Sequence, residues 1–423
     1  MRVVVVGGGP GGSTTAHECV LRGLSVTLLE RNLTNDKSCA GGMPSKLLHD
    51  FDVPLHVVES VSQHIVMISP TKRETHVMLP PDEALATVKR KVFDKWLRDR
   101  AASAGVDMVE AEFIEYEDRG ETLSPRYRVH FKTRDGEHHW QEADFVIGAD
   151  GAISRVAKQL LGYNLKQVIA RQKFITPQPG VMESHYRELM EVYYSSEISP
   201  DYYGWMFSRK NDISLGMGTG YHNGRLVRPC LENLERFNAP WLEGGTVTDI
   251  NAAPIPAEQN YRDSARDGII LVGDSAGFVL PALGEGIYYA MLAGRIAAEQ
   301  IRAYAFEGGP APATIYPQAV EETLEPLFQI FRTVENWAYS SDFRRELLCS
   351  LLAERYYQGK IFATFAMKRA KPNRNVVHKI QQAFFVANTV LRLKARGYNA
   401  NTGYLMDQGI DVQGEFQAAL AGQ

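Results

Sequence analysis

An α/β fold is predicted for this chain, with a parallel-sheet domain first, an inserted β-rich region and a helical C-terminal tail. Three observations predict it. Strand-like and helix-like segments alternate at the start of the chain. Short β-branched and aromatic runs occupy 61–69, 126–133 and 202–219. Apolar residues at helical spacing fill 90–104 and 286–304, and apolar-rich helical patterns continue towards the C-terminus until Pro372 breaks them.

The 423 residues exceed one ordinary domain. The expected division gives 1–60, 84–160 and 262–305 to the parallel-sheet domain, 61–83 and 161–261 to the β-rich one, and 306–423 to the tail. The stretch 308–315, rich in Gly, Pro and Ala, reads as the clearest linker. No internal repeat is visible.

A net charge of -4 with 23% charged residues is that of an ordinary globular protein, without the field that recruits nucleic acid. Cys19, Cys39, Cys230 and Cys349 are widely spaced and form no CxxC pair, which argues against a disulfide framework and a zinc site. A reducing compartment is expected. A signal peptide would overlap the first strand, so the chain is expected to be mature from its first residue. The longest apolar candidate, from Ile269 to Ala298, is interrupted by Asp274 and Glu285, so any membrane contact is expected to be peripheral.

The first strand carries the first chemical signal. Val3-Val4-Val5-Val6 runs into Gly7, Gly9 and Gly12, then into a helical stretch, and a second strand, Val26 to Leu29, ends in Glu30 and Arg31. In such a GxGxxG unit, Gly7 makes the tight turn, Gly9 lets backbone amides approach a pyrophosphate, and Gly12 permits close helix–strand packing. Glu30 suits the hydroxyls of an adenosine ribose and repels a 2′-phosphate, which points to FAD or NAD in a Rossmann-type domain.

Two distant segments favour FAD. Phe145 to Gly151 followed by Ser154 resembles the GADGxxS motif of FAD-dependent hydroxylases and their relatives, and Gly268 to Gly277 reads GIILVGDSAG. The resemblance implies that Asp150, Gly151 and Asp274 serve the flavin. Gly284, Gly286 and Ile287 would offer a helix N-terminus, which favours negative charge, to the isoalloxazine end. Arg90, in the pattern Arg90-x-x-Phe93-Asp94-x-x-Leu97, matches an arginine placed near the flavin in that superfamily; its structural alternative is an i,i+4 pair with Asp94.

A narrower resemblance covers nearly the whole chain. Tyr203-x-Trp205-x-Phe207, after Ser199-Pro200-Asp201-Tyr202, is similar to the YxWxFP signature of the geranylgeranyl reductase family. Lys37-Ser38-Cys39-Ala40-Gly41-Gly42-Met43-Pro44 resembles its KPCGGAIP segment. Met67 to Pro70, Ala253 to Pro256 and Gly284 to Ala290 also fit, and Tyr339-Ser340-Ser341-Asp342-x-x-Arg345-Glu346 resembles a stretch of the chlorophyll and bacteriochlorophyll branch. Ser38 and Ser208 depart from the pattern by replacing prolines, and the small residues around Cys39 are reordered.

The resemblance implies an FAD-dependent reductase of isolated C=C bonds in a geranylgeranyl chain, carried as the free diphosphate or on a chlorophyll-type pigment. NADPH or reduced ferredoxin would supply electrons, on the cytoplasmic or stromal side of a photosynthetic membrane. Cys39 and Ala40 would lie at the flavin. Tyr203, Trp205 and Phe207 would share one strand face and hold the isoprenoid by area, at ~0.8 kcal/mol per buried CH₂. Cys39 and Tyr203 are candidate proton donors, with Trp205 beside them. A flavin-dependent monooxygenase and a non-catalytic flavin- or prenyl-binding partner are the alternatives.

No second dinucleotide fingerprint occurs: Gly216, Gly218 and Gly220 end a strand and lack a following acid. From Arg355 to Met406 there is no Asp or Glu, while Lys and Arg interleave with Phe, Ile and Leu. A basic amphipathic helix pair of this kind suits an anionic membrane surface, and equally a solvated face on packed helices.

Overall fold

A computed structural model describes residues 1–34 and 37–353, together with Phe362, Phe365, Ala366 and Lys368. Met1–Lys368 forms one compact unit. The basic stretch beyond Arg355, apart from those four residues, and the break at Pro372 lie outside the described residues.

Two large sheets organise the first unit. The first runs in the order His138–Ala143, Tyr127–Thr133, Asp107–Asp118, Ser25–Glu30, Arg2–Val6, Phe145–Gly148, Ile269–Leu271, Ala265–Arg266. Its centre is parallel: Arg2–Val6 pairs with Ser25–Glu30 on one side and Phe145–Gly148 on the other. Helices cover such a sheet on both faces, which is why Val3 to Val6 are all buried and all apolar. Pro10–Leu21 and Ile287–Glu307 pack together so tightly that a Cβ on Gly294 would lie 2.4 Å from the Thr15 Oγ1.

The second sheet orders Thr246–Pro256, Gln167–Thr176, Ile213–Gly220, Gly204–Ser208, Leu189–Tyr193, His64–Ile68, Glu74–Met78. It joins strands from 64–78 to strands from 167–256. One face is a closed core, in which Met206, Ile213, Leu215 and Met217 pack on Leu231 and Leu234 of the helix Val227–Phe237. The alternating residues Ile65, Met67, Met190, Trp205 and Phe207 point the other way, into a cavity.

The 202–219 run is two strands, Gly204–Ser208 and Ile213–Gly220, joined by a turn in which Arg209 N–H donates to the Asp212 carbonyl at 2.8 Å. The linker is shorter than 308–315. Helix Pro312–Ala338 begins at Pro312, because proline at the first helical position gives up only an N–H that would be unpaired there. Among the described residues, no helix is long and apolar enough to cross a membrane.

Candidate functional site

The dinucleotide end is built by close approach. A Cβ on Gly12 would fall 1.8 Å from the Gly7 carbonyl oxygen, so only glycine lets the helix Pro10–Leu21 start where it does. Gly7 takes φ +105°, a region other residues rarely adopt. Gly9 is different: its φ is -77°, and no protein atom lies within 4 Å of where its Cβ would be. That opening is where a ligand's pyrophosphate would meet the helix N-terminus.

Glu30 ends its strand facing this turn, where its carboxylate accepts from Gly8 N–H at 2.6 Å and from Asn32 N–H at 3.1 Å. Arg31 is exposed and does not line the cavity. Sequence reasoning missed Arg98, which is buried and donates to the carbonyls of Gly8 at 3.1 Å and Leu33 at 2.8 Å. Asp150 turns away from the cavity to cap the helix Arg155–Leu161, accepting from Arg155 N–H at 2.7 Å and Val156 N–H at 3.3 Å as well as from the Ser154 hydroxyl.

A single cavity continues from Gly9 to Gly11, past the loop 37–43 and Gly151, to Asp274 and the 282–287 segment. Lys37 bridges two of these parts, its ammonium 3.0 Å from the Asp274 carboxylate. Cys39 is half-buried, accepts a hydrogen bond from Gly41 N–H at 3.3 Å and faces the Arg90 guanidinium. Arg90 makes the i,i+4 pair expected of its structural alternative. It makes a two-point contact with Asp94, at 2.8 and 2.7 Å, yet the pair is buried and Arg90 lines the cavity beside Cys39. Gly284, Gly286 and Ile287 line the far side, where Ile287–Glu307 begins.

Tyr203, Trp205 and Phe207 form the opposite wall, with neighbouring ring centroids 6.1 and 6.4 Å apart. Gly216, opposite Trp205 in the sheet, makes room for the indole: a Cβ there would lie 2.4 Å from Trp205 Cζ2. The indole N–H donates to Ser214 Oγ at 3.1 Å, Ser214 donates to Gln172 Oε1 at 2.9 Å, and Gln172 donates to Asn251 Oδ1 at 2.9 Å. Ser38 Oγ donates to the same Asn251 oxygen. A polar chain, buried at its Trp205 end, thus links the aromatic wall to the loop that carries Cys39. The Tyr203 hydroxyl is pushed far up by burial, and its proton is given to the Leu283 carbonyl at 2.5 Å.

Beyond the wall the cavity is lined by Tyr194, Tyr202, Tyr339, Leu348, Leu352 and Phe365. The segment 339–346 fastens this end. Arg345, 1% exposed, ion-pairs with Asp342 at 2.7 Å and donates to the carbonyls of Pro200 at 2.7 Å and Tyr339 at 3.0 Å. Asp342 accepts from Ser196 N–H at 2.8 Å, and Glu346 accepts from the Thr71 hydroxyl at 3.0 Å.

These residues fit FAD: there is open space above Gly9, an acid ends the second strand, and helix N-termini at Pro10 and Ile287 face one cavity. Residues 1–170 match the FAD binding domain family. The chloroplastic geranylgeranyl diphosphate reductase of Nicotiana tabacum is 32% identical over 411 residues, spanning 93% of this chain and 87% of its own. The geranylgeranyl diphosphate reductase of Rhodobacter capsulatus is 35% identical over 369 residues, spanning 86% and 91%. The crystal structure of a geranylgeranyl bacteriochlorophyll reductase-like protein from Thermoplasma acidophilum shares the fold, with a TM-score of 0.75 at 21% identity over 90% of this chain and 98% of that one. The chain belongs to the geranylgeranyl diphosphate reductase family of FAD-binding flavoproteins.

Proposed function

We propose that this protein reduces isolated C=C bonds of a geranylgeranyl chain, held as the diphosphate or on a chlorophyll-type pigment. One observation carries the reading: a single cavity joins the dinucleotide turn at Gly9 to an aromatic wall and an apolar end at Leu348, Leu352 and Phe365. An isoprenoid has no hydrogen-bonding handle along its length, so a long apolar slot beside a flavin suits it. When bound, FAD would supply the hydride.

The chain's own residues do the rest. Gly7, Gly9, Gly12 and Glu30 seat the dinucleotide, and Lys37 with Asp274 takes the polyhydroxyl linker. Gly284, Gly286 and Ile287 place a helix N-terminus where the reduced flavin's negative charge is favoured. Tyr203, Trp205 and Phe207 align the alkene and exclude water, which an unactivated double bond needs because no carbonyl spreads its charge. Cys39, against Arg90, borders the reacting end. NADPH or reduced ferredoxin donates at the same cavity, and the basic stretch beyond Arg355 holds the protein to an anionic membrane surface.

The test is anaerobic mixing of the reduced holoprotein with geranylgeranyl diphosphate and, separately, with geranylgeranylated chlorophyll. Mass analysis should find product heavier by two hydrogens per bond reduced. Substrate-stimulated oxygen uptake with a hydroxylated product would establish a monooxygenase instead. A flavin that dithionite reduces and neither prenyl compound reoxidises would leave only a binding role.

A further inference from the structure

We propose that Glu285, paired with Lys368, is the proton donor to the double bond in this cavity, an inference that rests on the reductase reading above. Glu285 lines the cavity and is 7% exposed. One carboxylate oxygen is ion-paired with the Lys368 ammonium. The other, Oε1, is buried and has no hydrogen-bond partner among the described residues. A buried carboxylate oxygen left unsatisfied costs several kcal/mol, so Glu285, a residue that lines the cavity, carries an uncompensated acceptor there.

The surroundings keep the pair dry and fixed. Lys368 sits over the rings of Phe365, Tyr289 and Tyr288, at 4.4, 4.8 and 5.3 Å from their centroids. The Glu285 backbone is held by Leu280, whose N–H donates to its carbonyl at 2.8 Å, immediately before the helix Ile287–Glu307. Three other protic groups on the wall are already committed. Tyr203 gives its proton to Leu283 O, Tyr339 gives its own to Ala282 O at 2.7 Å, and Trp205 N–H goes to Ser214.

The chemistry balances. In the form that acts, Glu285 is a protonated carboxyl beside the Lys368 ammonium. The alkene gains a hydride on one carbon, supplied by the reduced flavin when bound, and a proton on the other from the Glu285 carboxyl, which is left as the carboxylate of the ion pair. Lys368 then returns a proton to it, and solvent restores the ammonium. Burial pushes the Glu285 carboxyl up and the Lys368 ammonium down, and both directions favour passage of the proton from Lys368 back to Glu285. The other titratable groups facing the pair are Tyr203, Tyr288 and Tyr289 around Glu285, and Lys46, whose charge also bears on Lys368.

The experiment follows single-turnover reoxidation of the dithionite-reduced flavin by geranylgeranyl diphosphate, without oxygen, in wild type, Glu285→Gln and Lys368→Met. Glu285→Gln should keep its FAD and its reduction by dithionite but reoxidise at least about 100-fold more slowly, the loss expected of a general acid. Lys368 lowers the carboxyl's proton affinity, so Lys368→Met should move the alkaline limb of the rate–pH profile to higher pH. Reoxidation of Glu285→Gln at the wild-type rate overturns the proposal while leaving the reductase reading intact. A wild-type flavin that the diphosphate never reoxidises removes both. Should Glu285→Gln fail to hold FAD, the Lys368→Met profile decides: an upward shift supports the proposal and an unmoved limb overturns it.

Discussion

The Tyr203 hydroxyl donates to the Leu283 carbonyl at 2.5 Å, tying the aromatic wall to the turn that precedes the cavity's helix. A hydroxyl so engaged is expected to position the wall rather than to protonate the alkene. Tyr203→Phe leaves that carbonyl unpaired, at a cost of about 1–3 kcal/mol in stability. Turnover should fall by less than about tenfold, whereas loss of a general acid costs about 10²- to 10⁴-fold. Steady-state rates with a melting curve separate the two, and a loss in the larger range would return Tyr203 to the proton-transfer step.

The glycine turn makes two opposite predictions. Gly9 has open space above its Cβ position and an ordinary φ, so Gly9→Val should fold and lack FAD, with Glu30→Ala adding to the loss. Gly12→Val places side-chain atoms against the Gly7 carbonyl and should not yield folded protein. Circular dichroism and the flavin-to-protein absorbance ratio check both. A Gly9→Val protein with full flavin content would move the dinucleotide elsewhere.

What could be read from the sequence was local or periodic. Val3 to Val6, the glycines and Glu30 lie within 30 residues, and each has a geometric reason visible in one dimension. The alternation at 203, 205 and 207 put three aromatics on one face because a strand has period two. The contacts missed are those made between distant segments: Lys37 to Asp274 across 237 positions, Ser38 to Asn251 across 213, and Lys368 to Glu285 across 83. Burial and partner choice there follow from the fold, not from neighbours in the chain. Gly216 was a legible clue put to little use, since a glycine in a strand marks a close approach, here by Trp205. Asp150 shows the reverse case, a motif acid that caps a helix.

Trp205 joins the wall to the polar chain through Ser214, Gln172 and Asn251. Trp205→Ala should lower prenyl turnover at least about tenfold with flavin content intact, because a packed aromatic in a binding site contributes a few kcal/mol. Ser214→Ala keeps the ring but frees it, and should raise KM more than it lowers kcat. Unchanged turnover in Trp205→Ala, with only a lower melting temperature, would assign the indole to the core.

Glu335, on the helix Pro312–Ala338, sets a pH dependence of stability. Burial pushes its carboxyl up to about 7, Asp201 adds to this, and the Ala282 N–H and Arg332 oppose it without prevailing. Ala282 carries φ +64°, so the segment it anchors is held in a conformation that favours glycine. The sign follows from proton binding: between the ordinary value of 4.5 and about 7 the native state holds a proton that the unfolded chain has lost. Stability from this group is therefore full below that window and declines as pH rises through it, by about 3 kcal/mol at roughly 1.4 kcal/mol per unit. Glu335→Gln keeps an acceptor for the Ala282 N–H and does not titrate. Melting temperatures of the flavin-loaded variant and wild type should agree near pH 4.5 and separate progressively to pH 8, the variant being higher. Curves that stay parallel across that range would mean that Glu335 ionises freely in the native protein.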